Sequence, residues 1–480
     1  MKVVLVAPPI LDLNDDGHLR PWGMDAVRAC PPYGLYLLAA VLERDGHDVV
    51  LADLVLDGGR SLMPYAREVE AAGLVGVSAT SLGWPTALDV VRQVRAMRPD
   101  VPVVAGGIHP TMFDRHVLRT SPVDLVVRGE GEVALSALCH ALERGSDLAG
   151  VPSLSWKPRD GGVARNPGAA KIPSDELTSF PIPRYDRLPR GSYRSLALET
   201  SRGCAFDCSF CSTAYRRSWR AMPAMSVVDR IEAAMAHLDR TRMRTIHIVD
   251  DEFSMNPRRA TAIAREVARR GLFPRLLYDS RAPDMLADAF LDAIEPFTFR
   301  LLVGAECGYD EGLRRVGKGT TCAVLESAAA ALARRGMAVR TDFSFIIGLP
   351  WETRAEAERT MAFAARLGDR YGVTILLNWY CQIPGSRLWE EDRRAERVHE
   401  SMYDEYGFSR NLYLFRSGVR LSPADVWHLA DAAVGLRRDG LRVEFAVPPP
   451  VARYFPREAE DDALGSLREL VRVGAPRRRL

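Results

Sequence analysis

Three cysteines, Cys204, Cys208 and Cys211, sit in the segment ETSRGCAFDCSFCSTAYRRSWR, with three residues and then two between them. Thiolates grouped on one short loop are expected iron–sulfur ligands, and three can hold three irons of a cubane while the fourth iron stays open. The common structural zinc pattern needs four ligands in paired knuckles. No fourth Cys or His lies nearby, since the next His is His237. Three buried thiols that merely share this spacing are the bland alternative, and the position of the loop in the fold must weigh against it. The other five cysteines, Cys30, Cys139, Cys307, Cys322 and Cys381, are scattered.

The elements around the loop predict where it lies. Short β-branched runs alternate with helix-period segments over residues 1–150: strands at 3–8, 48–54, 74–80, 101–107 and 124–130, with helices at 34–46 and 86–99. That alternation predicts an α/β domain, a doubly wound parallel sheet whose ligands gather at the C-terminal strand edge. The residues at that edge are Ala7–Pro9, Ser78–Ser81, Gly106–Thr111 and Gly129–Glu132. Residues 151–194 are rich in Pro, Gly and Arg without a sustained period and read as a linker. A second βα series fills 195–390, with strands expected at 195–201, 244–251, 275–281, 300–306, 339–348 and 373–382. Six βα units make an open, partial TIM-like barrel, with the cysteine loop following its first strand, where active sites of such barrels collect. Residues 391–480 read as a small, mainly helical C-terminal region ending in a solvated Arg-rich tail (Arg477–Arg479).

Composition excludes several partners. At 480 residues, two or three domains are expected. The 64 Lys and Arg balance 62 Asp and Glu, so no bulk field attracts nucleic acid or an anionic membrane. No apolar run approaches the roughly 20 residues of a membrane span, and the opening MKVVLVAPP is too short for a signal-peptide core. A cytosolic location is expected, where thiols stay reduced or bind metal.

CAFDCSFC resembles the cluster motif of the radical S-adenosylmethionine superfamily, whose fold is a partial (βα)6 barrel. The resemblance extends to IVDDEF, GAECGYDEGLRRVGKGT, FIIGLPWET and QIPGSRLW in the second series. Residues 1–150, with PPYGLYLLAAVLERDGHDV, VVAGGIHPT and VVRGEGE, resemble the cobalamin-binding-type domain that precedes the barrel in one subfamily. The resemblance implies a 4Fe–4S cluster on Cys204, Cys208 and Cys211. Its open iron takes the methionyl amine and carboxylate of S-adenosylmethionine, and reductive cleavage releases a 5′-deoxyadenosyl radical. It implies that Phe210 packs on the adenine, that Asp250, Asp251 and Glu252 contact the methionyl amine, and that Ser280 and Arg281 meet the carboxylate. Glu306 would take ribose hydroxyls, although the family's Glu-Ser-Gly is Glu306-Cys307-Gly308 here, and Gly348–Pro350 would approach the adenine by backbone. Helix capping, an ion pair of Arg281 with Asp279 and a plain β-turn are the competing structural roles. A flavodoxin or ferredoxin is the expected electron donor.

Cobalamin is the open question of the front domain. The Asp-x-His-x-x-Gly signature of lower-base displacement is absent, and His18, His47 and His109 do not fit it. A bound cobalamin at the Gly106–Gly107 edge and a ligand-free scaffold are equally compatible with these residues. Two reactions begin with the same hydrogen abstraction. One is dehydration of a diol on a sugar-like substrate, as in the radical diol-dehydratases of aminoglycoside biosynthesis; the other is methyl transfer from methylcobalamin. The expected barrel lining (Tyr215, Asp279, Arg281, Asp342, Asn378, Tyr380, Gln382) is polar and suits a small hydroxylated or aminated substrate. Dehydration needs an acid and a base, for which Tyr215 is the candidate proton donor; Asp342 is the candidate partner of a substrate ammonium. Tyr215 as a wall residue and Asp342 in an ion pair with Arg340 or a neighbouring strand are the structural alternatives. The missing His and the polar lining tilt the expectation toward dehydration. A non-catalytic or zinc-bound scaffold and a tRNA methylthiotransferase are the remaining readings, the latter disfavoured by the balanced charge.

Overall fold

The computed structural model describes residues 1–13, 18–21, 30–57, 59–158, 161–169, 171–407 and 420–445. They divide into two units: residues 1–198, 229–244 and 393–408, and residues 199–228, 245–392 and those after 408.

In the first unit the β-branched runs form β1 (Lys2–Ala7), β2 (Asp48–Asp53), β3 (Leu74–Ser78), β4 (Val103–Gly106) and β5 (Leu125–Val127). Their parallel order is β2-β1-β3-β4-β5, a doubly wound order with its switch point between β1 and β3. Both faces are covered, which is why the strands are continuously apolar. Leu35, Ala39 and Leu42 of helix Tyr33–Arg44 join Leu135 and Leu138 of helix Gly131–Arg144 on one face. Trp84, Leu88, Val91 and Val94 of helix Trp84–Met97 cover the other.

The expected linker is partly sheet. β6 (Leu154–Trp156) and β7 (Ala164–Arg165) add to the β5 edge antiparallel, and buried Asn166 donates to Leu148 O and Val151 O, each at 2.7 Å. Two- and three-residue strands carry too little periodicity to be read from sequence. Residues 393–408, placed by sequence with the C-terminal region, belong to this first unit. Asp404 there accepts from Trp84 Nε1 at 3.1 Å and lies 2.7 Å from His116 Nε2.

Strand β8 (Ser195–Leu198) leads into the cysteine loop. Within the second unit, β9 (Thr245–Ile248), β10 (Leu276–Arg281), β11 (Thr298–Glu306), β12 (Thr341–Ile347) and β13 (Thr374–Trp379) follow one another in chain and spatial order, all parallel. All six expected barrel strands are present. A further one, β14 (Val443–Phe445), pairs parallel with β13, so part of the C-terminal region completes the sheet. Helix Pro423–Arg438 precedes it, started by a reciprocal Ser422–Asp425 capping box. The Arg-rich tail lies outside the described residues.

Strand alternation separates the barrel's two faces. Leu301, Val303 and Ala305, Phe343, Phe345 and Ile347, and Ile375 and Leu377 are fully buried on the helix side, where Phe345 meets Phe363 edge-on at 6.2 Å. The intervening residues Arg300, Leu302, Gly304, Ser344, Ile346 and Leu376 face the lumen and stay partly accessible. The lumen is therefore a solvent-reached cavity of mixed polarity inside an apolar shell.

Leu138 is fully buried between helix Gly131–Arg144 and the front sheet. Leu138→Ala should destabilise that unit by about 2–5 kcal/mol, seen as an earlier chemical-denaturation transition.

Candidate active site

The cysteine loop is closed by its own backbone. Cys204 N donates to Tyr215 O at 3.3 Å, Ser218 N to Cys204 O at 3.1 Å, and Cys211 N to Cys208 O at 3.1 Å. Gly203 takes φ +79, and a Cβ there would stand 2.1 Å from Ser218 O and 2.7 Å from Tyr215 O, so only glycine permits the closure. A second loop lies along the first: Ser209 N donates to Val316 O at 2.8 Å, and Cys208 Sγ is 3.8 Å from Gly317 O.

Cys208 is buried and Cys204 and Cys211 are half-buried, all three as free thiols. Burial pushes the Cys204 and Cys208 thiols up; Cys208 adds to the rise at Cys204, and Cys211 to the rise at Cys208. The three sulfurs are thus electrostatic neighbours on a loop at the C-terminal end of a barrel strand. Three soft donors on one loop fit a cubane cluster with one open iron, and the loss of thiol protons on ligation makes loading pH-dependent.

The acidic run after β9 divides by role. Asp250 is fully buried and accepts from Thr200 N (2.6 Å), Thr200 Oγ1 (2.5 Å) and Ser201 Oγ (2.6 Å). Its carboxylate is spent on anchoring the base of the cysteine loop, which corrects its expected contact with the methionyl amine. Asp251 accepts from Thr213 Oγ1 at 2.8 Å, and Asp251 and Glu252 both act on Cys204. Glu252 is pushed up to about 8 by burial, against hydrogen bonds from Ser254 that favour its charge. These two carboxyls remain placed for an ammonium beside the cluster.

Ser280 and Arg281 do not act together, because consecutive strand residues face opposite sides. Ser280 pairs in register with outward Val303 and is buried away from the lumen, so it cannot meet the carboxylate of S-adenosylmethionine. Arg281 stacks on Phe206 of the cysteine loop, 3.3 Å from the ring centroid, and donates to Lys318 O; it is not paired with Asp279. Lys318 and Phe206 escaped sequence reasoning. Lys318 is buried and its Nζ lies 2.6 Å from Glu306 Oε1, so the expected ribose ligand already holds a cation. Gly304 makes this pair possible, since a Cβ there would lie 2.5 Å from Lys318 Nζ. Glu306 adopts φ +66, unusual for a non-glycine residue, at the end of β11.

Gly348, at φ +80 after β12, donates its N–H to Glu352 Oε2 at 2.8 Å, so that N–H is not available to an adenine. Glu352 also accepts from Leu349 N (3.1 Å) and Tyr309 OH (3.0 Å). Phe210 is half-buried between Cys208 and Cys211.

The expected proton donor, Tyr215, and the expected ammonium partner, Asp342, both have protein partners. Arg220 lies over the Tyr215 ring at 5.0 Å, making Tyr215 a wall residue of the loop. Asp342 is the second residue of β12, at the N-terminal end of the barrel. Its carboxylate takes a bidentate pair from Arg300 of β11, at 2.5 and 2.7 Å, which corrects its expected contact with a substrate ammonium. Buried Gln382 donates to Asp392.

At the front-sheet edge, Gly107 (φ +92) serves the backbone: a Cβ there would lie 2.7 Å from Ala79 O. Gly106 is different, with nothing nearer its Cβ position than Val127 O at 3.9 Å. That open strand end, with Ser78 on the adjacent strand, fits the approach of a nucleotide-like tail. His109 is fully buried, with Nδ1 at 3.1 Å from Ser81 Oγ and its ring stacked on Trp84 at 4.7 Å. Burial holds it neutral.

A model of the B12 binding domain matches residues 25–139, and a model of the radical SAM superfamily matches residues 198–364. An uncharacterized methyltransferase of Pyrococcus horikoshii is 31% identical over 400 residues, 81% of this chain and 83% of the relative. The chain belongs to the radical S-adenosylmethionine superfamily, in the group that carries a B12-binding domain. An anaerobic magnesium-protoporphyrin IX monomethyl ester cyclase of Rubrivivax gelatinosus is 27% identical over 79% of this chain and 69% of its own length. The fold matches that of TsrM, a radical S-adenosylmethionine methyltransferase from Kitasatospora setae solved with tryptophan and a SAM analogue. The TM-score is 0.68 at 22% identity, over 98% of this chain and 95% of that one. Another structure of TsrM holds cobalamin and a [4Fe-4S] cluster, with a TM-score of 0.62 at 21% identity, over 82% and 75% of the two chains. A radical enzyme using a 4Fe–4S cluster and S-adenosylmethionine follows from this membership. Among the described residues no helix is long and apolar enough to cross a membrane.

Gly203→Ala should abolish iron incorporation and cluster absorbance while far-UV circular dichroism is retained. Glu352 supplies a pH test. Burial raises its carboxyl from 4.5 to about 7. Its contribution is intact below about 4.5; as pH rises to 7 the unfolded chain loses the proton first and stability falls. Glu352→Gln should remove on the order of 2–3 kcal/mol of that fall, measured by denaturation at pH 5 and 7.5.

Proposed function

We propose that this chain is a cobalamin-dependent radical S-adenosylmethionine methyltransferase acting on a small polar substrate. Bound together, the cluster, S-adenosylmethionine and cobalamin supply radical hydrogen abstraction and a transferable methyl group. Cys204, Cys208 and Cys211 hold the cluster. Asp251 and Glu252 accept from the methionyl ammonium, Arg281 faces its carboxylate, and Phe210 borders the adenine. Gly106 and Ser78 border the cobalamin tail. The apolar shell of the barrel encloses the lumen. A small acidic electron-transfer protein, a flavodoxin or ferredoxin, is the reductant that suits a cytosolic enzyme of this class.

One observation carries methyl transfer over dehydration. Loss of water needs a proton donor and acceptor at the reacting carbons, yet Tyr215, the expected proton donor, lies beneath Arg220. Transfer of a methyl group makes no such demand. The methyltransferases among the similar proteins weigh the same way. Dehydration retains one supporting feature, the Glu252 carboxyl, which burial pushes up to about 8.

Anaerobically reconstituted enzyme, given S-adenosylmethionine labelled in its methyl group and a panel of polar heterocycles and amino sugars, distinguishes the two. Label in the product, with S-adenosylhomocysteine formed beside 5′-deoxyadenosine and only when cobalamin is present, is the expected result. A product short of one water and formed without cobalamin would establish dehydration instead. Gly106→Leu should cut retention of hydroxocobalamin on gel filtration, leaving cluster absorbance unchanged.

A further inference from the structure

The lumen-facing cations near the middle of the barrel are engaged elsewhere, and among the described residues one lumen-facing carboxylate, that of Asp279, has no cation within ion-pair distance; Lys318, held by Glu306, acts on it only from farther away. Asp279 lies in β10 in register with Leu302, which is in register with Asp342, so the three point to the same side. Arg300 gives both contacts to Asp342 and reaches Glu444 at 3.3 Å. Lys318 faces Glu306 at 2.6 Å, and Arg281 is stacked on Phe206. Among the described residues no side chain hydrogen-bonds or ion-pairs with the Asp279 carboxylate.

The surroundings make that vacancy consequential. Asp279 is partly accessible, whereas Tyr278 and Ser280 on either side are buried. Solvent reaches it, yet protein surrounds it closely enough to push its carboxyl up to about 6. At neutral pH it is a carboxylate in a cavity with poor solvation, where a cationic hydrogen-bond donor gains most. It lies two residues deeper than Arg281, about 7 Å farther from the strand end. Across the lumen the neighbouring strands offer Leu302 and Leu376 and then a neutral polar pair, Asn378 Nδ2 donating to Ser344 Oγ at 3.0 Å.

We infer that Asp279 is the substrate-positioning carboxylate of the barrel, and that the substrate carries an ammonium or amidinium group on a compact apolar or mixed body. This rests on the reading of the barrel lumen as the substrate site and replaces the sequence-based assignment of that task to Asp342. The ammonium of S-adenosylmethionine is the competing source of the same chemistry. Asp251 and Glu252, which act on Cys204, are the groups placed for it.

The test uses matched probe pairs on the reconstituted enzyme with S-adenosylmethionine bound: tryptamine and tryptophol, glucosamine and glucose, benzamidine and benzamide. Calorimetry should find at least one cation bound about tenfold or more tighter than its neutral counterpart. Asp279→Asn should bring that ratio near one while leaving cluster absorbance and S-adenosylmethionine affinity unchanged. In unmutated enzyme, a water-soluble carbodiimide should modify Asp279, with the preferred cation protecting it; this arm needs no variant. Failure of all three pairs to discriminate, discrimination that survives in the variant, or a tenfold loss of S-adenosylmethionine affinity would each overturn the inference. Binding is read apart from turnover, so a failed methyl transfer with intact cation selectivity would count against the proposed reaction alone.

Discussion

The active site depends on one buried carboxylate. Asp250 is removed from water at a cost that only well-made hydrogen bonds offset, and three donors from Thr200 and Ser201 meet it. Those two residues are the last before the cysteine loop, so the bonds tie the root of the loop to the end of β9. From there Gly203 turns the chain where a Cβ has no room, and the loop closes through Cys204, Tyr215 and Ser218. This anchorage fixes the backbone of the loop that carries the three cysteines.

Charge in the barrel is arranged in tiers. Arg300, Asp342 and Glu444 neutralise one another toward the N-terminal end. Lys318 and Glu306 do the same near the cysteine loop, through the space Gly304 leaves. Between these tiers Asp279 has no ion-pair partner among the described residues, and Lys318 acts on it only at longer range. Ion pairs inside a protein add little stability over apolar packing, but they fix side-chain positions. Here they hold two ends of a cavity and leave one charge for whatever enters.

The two units serve this chemistry differently. The front sheet is wound on both faces, with its strand order reversing beside β1, and its distinctive feature is an open strand end at Gly106. The barrel instead exposes one polar face of its own sheet to an internal cavity. A doubly wound sheet offers an edge to a ligand, whereas a partial barrel offers a lumen, and an enzyme of this group needs both.

The amino-acid sequence alone determined the cysteine triplet proposed to hold the cluster, both sheet types and all six expected barrel strands. Those features are written in local spacing: x3 and x2 between cysteines, and β-branched runs alternating with helical periods. It could not reveal β6 and β7, which are too short to carry a period, or β14, which is isolated at the end of the chain. Tertiary structure decided which polar residues were already spent. Asp250, Asp279 and Asp342 are equal in sequence as carboxyls at or near strand ends. Only register and distance show that Thr200 and Ser201 claim the first and Arg300 the third, leaving the second without a hydrogen-bonded or ion-paired side chain among the described residues. A residue's type states what it can bind, but its availability depends on partners distant in the chain, such as Lys318 for Glu306 and Glu352 for Gly348. No local pattern encodes those pairings.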